Sequence, residues 1–121
     1  MPVIQTKPAQ TLSGIPGTYK TGVVVPASNL LVVDDVESIN NYSIKWIVTI
    51  VDTVASKTMV CEILAINKFN TTMSHNVYGI VGDFIAHGVN VQLNLGKIQL
   101  VIMNNETHNI EVSIVRIQAV H

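Results

Sequence analysis

Metal-ligating and nucleophilic residues are present, but the chain does not gather them. His75, His87, His108 and His121 are far apart, and none forms a His-x-His or His-x-x-x-His pair. Zinc or iron needs several ligands converging on one point, and closely spaced pairs on one strand are the usual way to supply some of them. These histidines read instead as loop-tip residues. Asp34, Asp35 and Glu37 crowd three carboxylates together, yet the glycine, the alternating Asp/Asn ligands and the distal glutamate of a calcium loop are missing, so a solvated turn is expected. Ser74-His75 with a distant aspartate has the residue types of a hydrolase triad without the glycine-flanked nucleophile turn. The sequence thus assigns no catalytic, cofactor-binding or metal-binding residue and reads as not an enzyme.

Recognition chemistry is sparse as well. Sugar-binding sandwiches stack pyranose rings on exposed aromatics, and here the aromatics are Trp46, Tyr19, Tyr42, Tyr78, Phe69 and Phe84. Trp46 lies inside an apolar alternation and is expected in the core. Phe69, His75 and His108 fall in the tips Phe69 to His75 and Asn104 to Asn109, which are the candidate recognition loops, and Tyr42, near a loop tip of its own, is a further candidate. Sequons at Asn41, Asn70 and Asn105 carry little weight in a chain so rich in Asn, Ser and Thr. The single Cys61 cannot build a disulfide framework and is expected as a small core residue.

What positions these residues is an apolar, β-patterned chain. Of 121 residues 48% are hydrophobic and only 12% charged, about half the ~25% of an ordinary globular protein. Such a surface is expected to be covered by neighbours, because an isolated domain uses charge for solubility and to blunt its sheet edges. A net charge of -1 gives no long-range field for nucleic acid or an anionic membrane. With neither a membrane-length apolar run nor a secretory signal in the sequence as given, a protein made and assembled in a cytoplasm is expected.

Ile44, Trp46, Val48 and Ile50 place a large apolar residue at every second position, the period of a strand. With the β-branched run Thr58 to Ile66 they predict a long antiparallel hairpin about the hinge Asp52–Lys57. A short strand precedes it over Asn29–Val33, and others follow over Met73–Val81, Val89–Leu95, Lys97–Met103 and Ile110–Ile117, with turn clusters between them. The fold class is therefore all-β, a single antiparallel β-sandwich of about seven or eight strands with an extended N-terminal arm. All four prolines fall within residues 1–28, which excludes a helix or a central strand there. Residues 1–28 are accordingly expected as the arm and 29–121 as the sandwich. Val3, Ile4, Leu12, Ile15, Tyr19, Val23, Val24 and Val25 are the arm's expected assembly contacts, with Val23 to Val25 pairing along a neighbour's edge.

The segments Ser43-Ile44-Lys45-Trp46-Ile47-Val48, Glu62-Ile63-Leu64-Ala65, His75-Asn76-Val77-Tyr78-Gly79-Ile80-Val81-Gly82 and Asn104-Asn105-Glu106 before Ile110 to Arg116 resemble the small β-sandwich domains of tailed-bacteriophage virion structural proteins. The similarity covers residues 38–118 and is carried mainly by the Lys-Trp step and the Val-Tyr-Gly-Ile segment. It implies a non-enzymatic virion protein assembled in the host cytoplasm, of capsid decoration or tail/fibre type. The size of the chain favours a decoration or cement protein. A tail, neck, baseplate or fibre component, or a receptor- or glycan-binding module, is the alternative. Expected partners are other copies, with a trimer as the first expectation, and virion proteins such as the major capsid protein or tail proteins. No cofactor is expected.

Overall fold

The computed structural model describes residues 18–39 and 41–120. Among them are eight strands: β1 (Thr18–Val25), β2 (Leu30–Glu37), β3 (Asn41–Asp52), β4 (Lys57–Lys68), β5 (Thr72–Gly82), β6 (His87–Asn94), β7 (Lys97–Asn104) and β8 (Ile110–Val120). One antiparallel sheet has five strands in the order β1-β8-β3-β4-β5, and a second has three in the order β2-β7-β6. The expected antiparallel sandwich is what the chain forms.

The hairpin β3–β4 organises it. β3 sits between β8 and β4, so that Trp46 faces Ile63 on one side and Arg116 on the other, while Val48 faces Cys61 and Ile114. The even-numbered positions Ile44, Trp46, Val48 and Ile50 are buried against Leu100, Ile102, Ile98 and Val91 of the second sheet's strands. Each such side chain contributes about 1.5–3 kcal/mol through burial, and truncating Ile50 to alanine is expected to cost about 2–5 kcal/mol. β6 shows the expected alternation, with Val89, Val91 and Leu93 toward the core and Asn90, Gln92 and Asn94 away from it. Gly82, with φ +97°, lies so close to the Thr58 carbonyl that no Cβ fits there. Gly79, with φ +64°, marks the register shift where β5 bulges against β4.

Three expectations change. Thr18–Val25, assigned to the arm, is β1, an edge strand of the chain's own five-stranded sheet paired along β8. Val25 is fully buried and Val23 packs on the core. Pro26 follows the last residue of β1, and Gly22 (φ +64°) takes up a bulge between Lys20 and Val23, so an edge strand tolerates what a central one would not. Residues 1–17, with Val3, Ile4, Leu12 and Ile15, lie outside the described residues.

The carboxylates of Asp34, Asp35 and Glu37 are not a solvated turn. β2 runs through them, and a register shift between Val32 and Asp34 turns the consecutive residues Val33 and Asp34 both inward. Nor are the histidines uniformly at loop tips. His75 lies within β5 and His87 begins β6.

Candidate functional site

The feature that sets this molecule apart is the outer face of the five-stranded sheet. Register places Tyr19, Val115, Ile47, Glu62 and Tyr78 in one row across all five strands, and Ile117, Lys45, Leu64 and Asn76 in the next. Tyr19, Leu64, Ile66, Tyr78, Val115 and Ile117 are each between 37 and 71% exposed. An apolar belt therefore crosses the sheet, of the kind that marks a contact surface. One ion pair interrupts it, Lys45 Nζ to Glu62 Oε1 at 2.8 Å. The hydrogen bond and charge of Glu62 raise the Lys45 pKa, while hydrogen bonds from Lys45 and Tyr78 lower that of Glu62. These two charges cancel, so the belt stays neutral.

The outer face of the three-stranded sheet is divided. Leu30, Val32, Val101 and Met103 line an apolar groove beside Gly88. The rest is polar: Gln92 Nε2 donates to Gln99 Oε1 at 2.8 Å, and the Lys97 ammonium pairs with the Glu37 carboxylate at 3.0 Å.

The candidate recognition residues do not form one site. Tyr42 and Phe69 meet edge to face, with ring centroids 5.9 Å apart, where β3 begins and β4 ends. His75 stands along β5 beside a shallow apolar hollow lined by Leu64, Ile66, Ser74 and Asn76. His108 is at the opposite end of the sandwich, where its ring nitrogen Nε2 meets Asp52 Oδ2 at the far end of β3. A strand of that length separates the two ends by about 36 Å. Of the described arm residues, Tyr19 and Val24 are exposed on the outer face, whereas Val23 and Val25 are committed to the core.

Two buried carboxylate clusters escaped the sequence reading. Asp34, 1% exposed, reaches from the second sheet into the first. Its Oδ2 accepts from Trp46 Nε1 at 2.9 Å and from Arg116 at 2.8 Å, and its Oδ1 accepts from Arg116 at 2.9 Å and faces Lys20 Nζ at 3.2 Å. The available signal was an arginine lodged between Val115 and Ile117 in an apolar strand, which needs a buried anion. Asp52 instead serves its own end of the molecule. Its Oδ1 accepts the Val54 and Ala55 amides at 3.1 and 3.0 Å, and His108 holds Oδ2. Glu106 comes close enough to complete a possible three-donor cluster with Asp52 and His108, but it accepts the Ala86 amide at 2.7 Å. Each of the three therefore has a partner within the protein. Burial pushes the Cys61 thiol pKa up, as suits an inert core residue.

No protein-family model matches the sequence, and no curated protein matches it. Among solved structures the chain is similar to the tailspike protein of the Acinetobacter phage vB_ApiP_P1, at 13% identity and a TM-score of 0.49 over all of this chain. It spans 25% of that protein's chain. A likeness of that degree decides nothing about activity, substrate or partners.

Proposed function

We propose that this chain is a non-enzymatic structural protein of a bacteriophage virion, a capsid decoration or cement protein that works by laying its sheet surfaces against other virion proteins and further copies of itself. The observation that carries the assembly part of this reading is the neutral apolar belt from Tyr19 to Tyr78 across the five-stranded sheet. A face of that character is stable in water when something covers it. The low charge of the whole chain supports the same reading. The virion part rests on the sequence resemblance, and the decoration part on one small sandwich suiting a component added in many copies to a preformed shell.

Mass spectrometry of separated heads and tails tests it, with the chain expected in heads. Recovery only in tails would replace decoration with a tail, neck, baseplate or fibre role. Absence from purified particles would overturn the virion reading altogether. A second reading has one observation in its favour, the Tyr42–Phe69 ring pair at a sandwich end, with Phe69 74% exposed. Such a pair can stack a sugar ring of a host surface glycan. A glycan array with Tyr42→Ala and Phe69→Ala controls distinguishes it, and binding that survives both substitutions removes the ring pair from consideration.

A further inference from the structure

We propose that the edge of β5, which pairs with no strand among the described residues, is an acceptor edge, and that its occupant is residues 1–17 of a neighbouring copy of this chain, added as one more strand. The inference rests on the assembly reading above and names its contact. A sheet's outer strands leave backbone donors and acceptors unpaired, and proteins guard such edges with charges, prolines or bulges. The two edges of the five-stranded sheet differ in this respect. β1 carries the inward-pointing Lys20, a bulge at Gly22 and Pro26 just beyond its end. β5 carries neither a charged residue nor a proline in its eleven positions, and its run Thr72–Tyr78 is straight up to the bulge at Gly79. That run is a seven-residue edge with no guard.

The segment before β1 fits it. Its only charged side chain is Lys7, so no buried charge opposes docking on a neutral strand. Its longest proline-free run, residues 9–15, matches the open run of β5 in length, and because side chains alternate along a strand, Leu12 and Ile15 fall on opposite faces of it, so that one of them is offered to the apolar hollow formed by Leu64 and Ile66 and the other to the inner face. Flanking prolines are tolerated because an added strand is itself outermost. The point of departure selects a neighbour over the same chain. Thr18 is level with Val77, through Arg116, Trp46 and Ile63, but on the opposite edge of the sheet. Four strand spacings, about 19 Å, separate them, and reaching its own β5 would carry the segment across the whole sheet. A copy placed with its β5 edge beside this β1 receives the segment directly. That contact is head-to-tail, and such contacts close into rings, the trimer expected from the sequence among them, when the rotation between copies closes, and run on as filaments when it does not.

The test is the mass of the full chain in solution together with hydrogen exchange at Thr72–Tyr78, for wild type, for Leu12→Asp with Ile15→Asp, and for Ser74→Lys with Asn76→Lys. Wild type is expected to be oligomeric with the outward amides of that run protected. Either double variant is expected to be monomeric, with that protection reduced at least about tenfold and exchange in β3 unchanged. A wild-type monomer with protected Thr72–Tyr78 overturns the second copy as source of the strand. An oligomer that survives both variants, or freely exchanging amides in the wild-type oligomer, overturns the edge itself. Particle fractionation separates this from the functional reading: a chain found in virions with Thr72–Tyr78 unprotected refutes the edge alone, and an edge-linked oligomer absent from virions refutes the virion role alone.

Discussion

Asp34 and Asp52 are equally buried, each 1% exposed, yet they hold different things together. Asp34 joins the two sheets: the acid stands on β2, and its partners Lys20, Trp46 and Arg116 stand on β1, β3 and β8. Asp52 closes the turn that follows its own strand and ties it to the β7–β8 turn through His108. One carboxylate is answered chiefly by a guanidinium that stays charged at any ordinary pH, the other by amide dipoles and an imidazole. The sandwich is thus clamped at its middle by a cross-sheet ionic cluster and closed at one end by a local, acid-sensitive one.

The largest effect is expected from Asp34→Ala. It takes the buried carboxylate away from the Trp46 N–H and from the Arg116 guanidinium, which keeps the Asp35 carbonyl at 3.3 Å but loses its counter-charge, and breaking a buried pair in this way costs about 3–5 kcal/mol. Chemical denaturation at pH 7 checks it, and a loss under about 1 kcal/mol would show that water or a rearranged Arg116 takes the place of the carboxylate. Trp46→Phe sharpens the assignment by keeping most of the ring volume while removing only the indole donor. Its expected cost is smaller, about 1.5–3 kcal/mol for a hydrogen bond to a charged group. In the double variant the two losses should not add, because both remove the same bond.

Why Trp46 was legible in the sequence and Asp34 was not is a matter of range. Alternation over Ile44 to Ile50 is a local signal, and it placed the indole in the core correctly. The partner of the indole N–H comes from the other sheet, through a bulge that turns two consecutive residues inward. Periodicity has no means of announcing such a slip. β1 teaches the same lesson about pairing. Val23 to Val25, bounded by Gly22 and Pro26, reads as a strand in need of an edge, and that much was visible. The edge it takes is β8 of its own chain, because composition tells that a strand pairs but not with which partner. The candidate recognition loops were scattered for a related reason: His108 and Phe69 lie in turns at opposite ends of one sandwich, and strand count alone does not say which turns share an end.

Acidification distinguishes the two carboxylates further. Burial pushes the Asp52 pKa upward, but the Ala55 amide, His108 and the Val54 amide together outweigh it and hold the carboxyl below its ordinary value of 3.8. A group whose folded pKa is depressed stabilises the fold fully above its unfolded value and loses that contribution as pH falls through the folded one. Asp52→Asn should therefore melt below wild type at neutral pH, and the gap should close as pH falls past the ordinary carboxyl value of 3.8 and through the lower folded one. Thermal melts across that range measure it. A gap that is constant with pH would mean that the charge of Asp52 contributes nothing and that its turn geometry alone matters.

The smallest effect on the isolated fold, and the one that bears on assembly, is expected at Lys45 and Glu62. Their pair is exposed, and pairs of that kind contribute little to stability. The Lys45 pKa is raised, so its share is present below the ordinary value of 10.5 and lost as pH rises through the folded one; the Glu62 pKa is lowered, so its share is present above 4.5 and lost as pH falls. The pair is intact throughout the neutral range. Reversing it, with Lys45→Glu and Glu62→Lys together, keeps the net charge and the opposite signs, and the melting temperature should stay close to that of wild type. A partner that merely covers the apolar belt will accept the reversed pair. A partner that places its own polar groups against Lys45 and Glu62 will meet the wrong sign at each and release the chain, since like charges across an interface are strongly disfavoured. Particle incorporation of the reversed variant, set beside that of Lys45→Glu alone, separates these cases: loss only in the single variant identifies a covering partner, and loss in both identifies one that reads the charges.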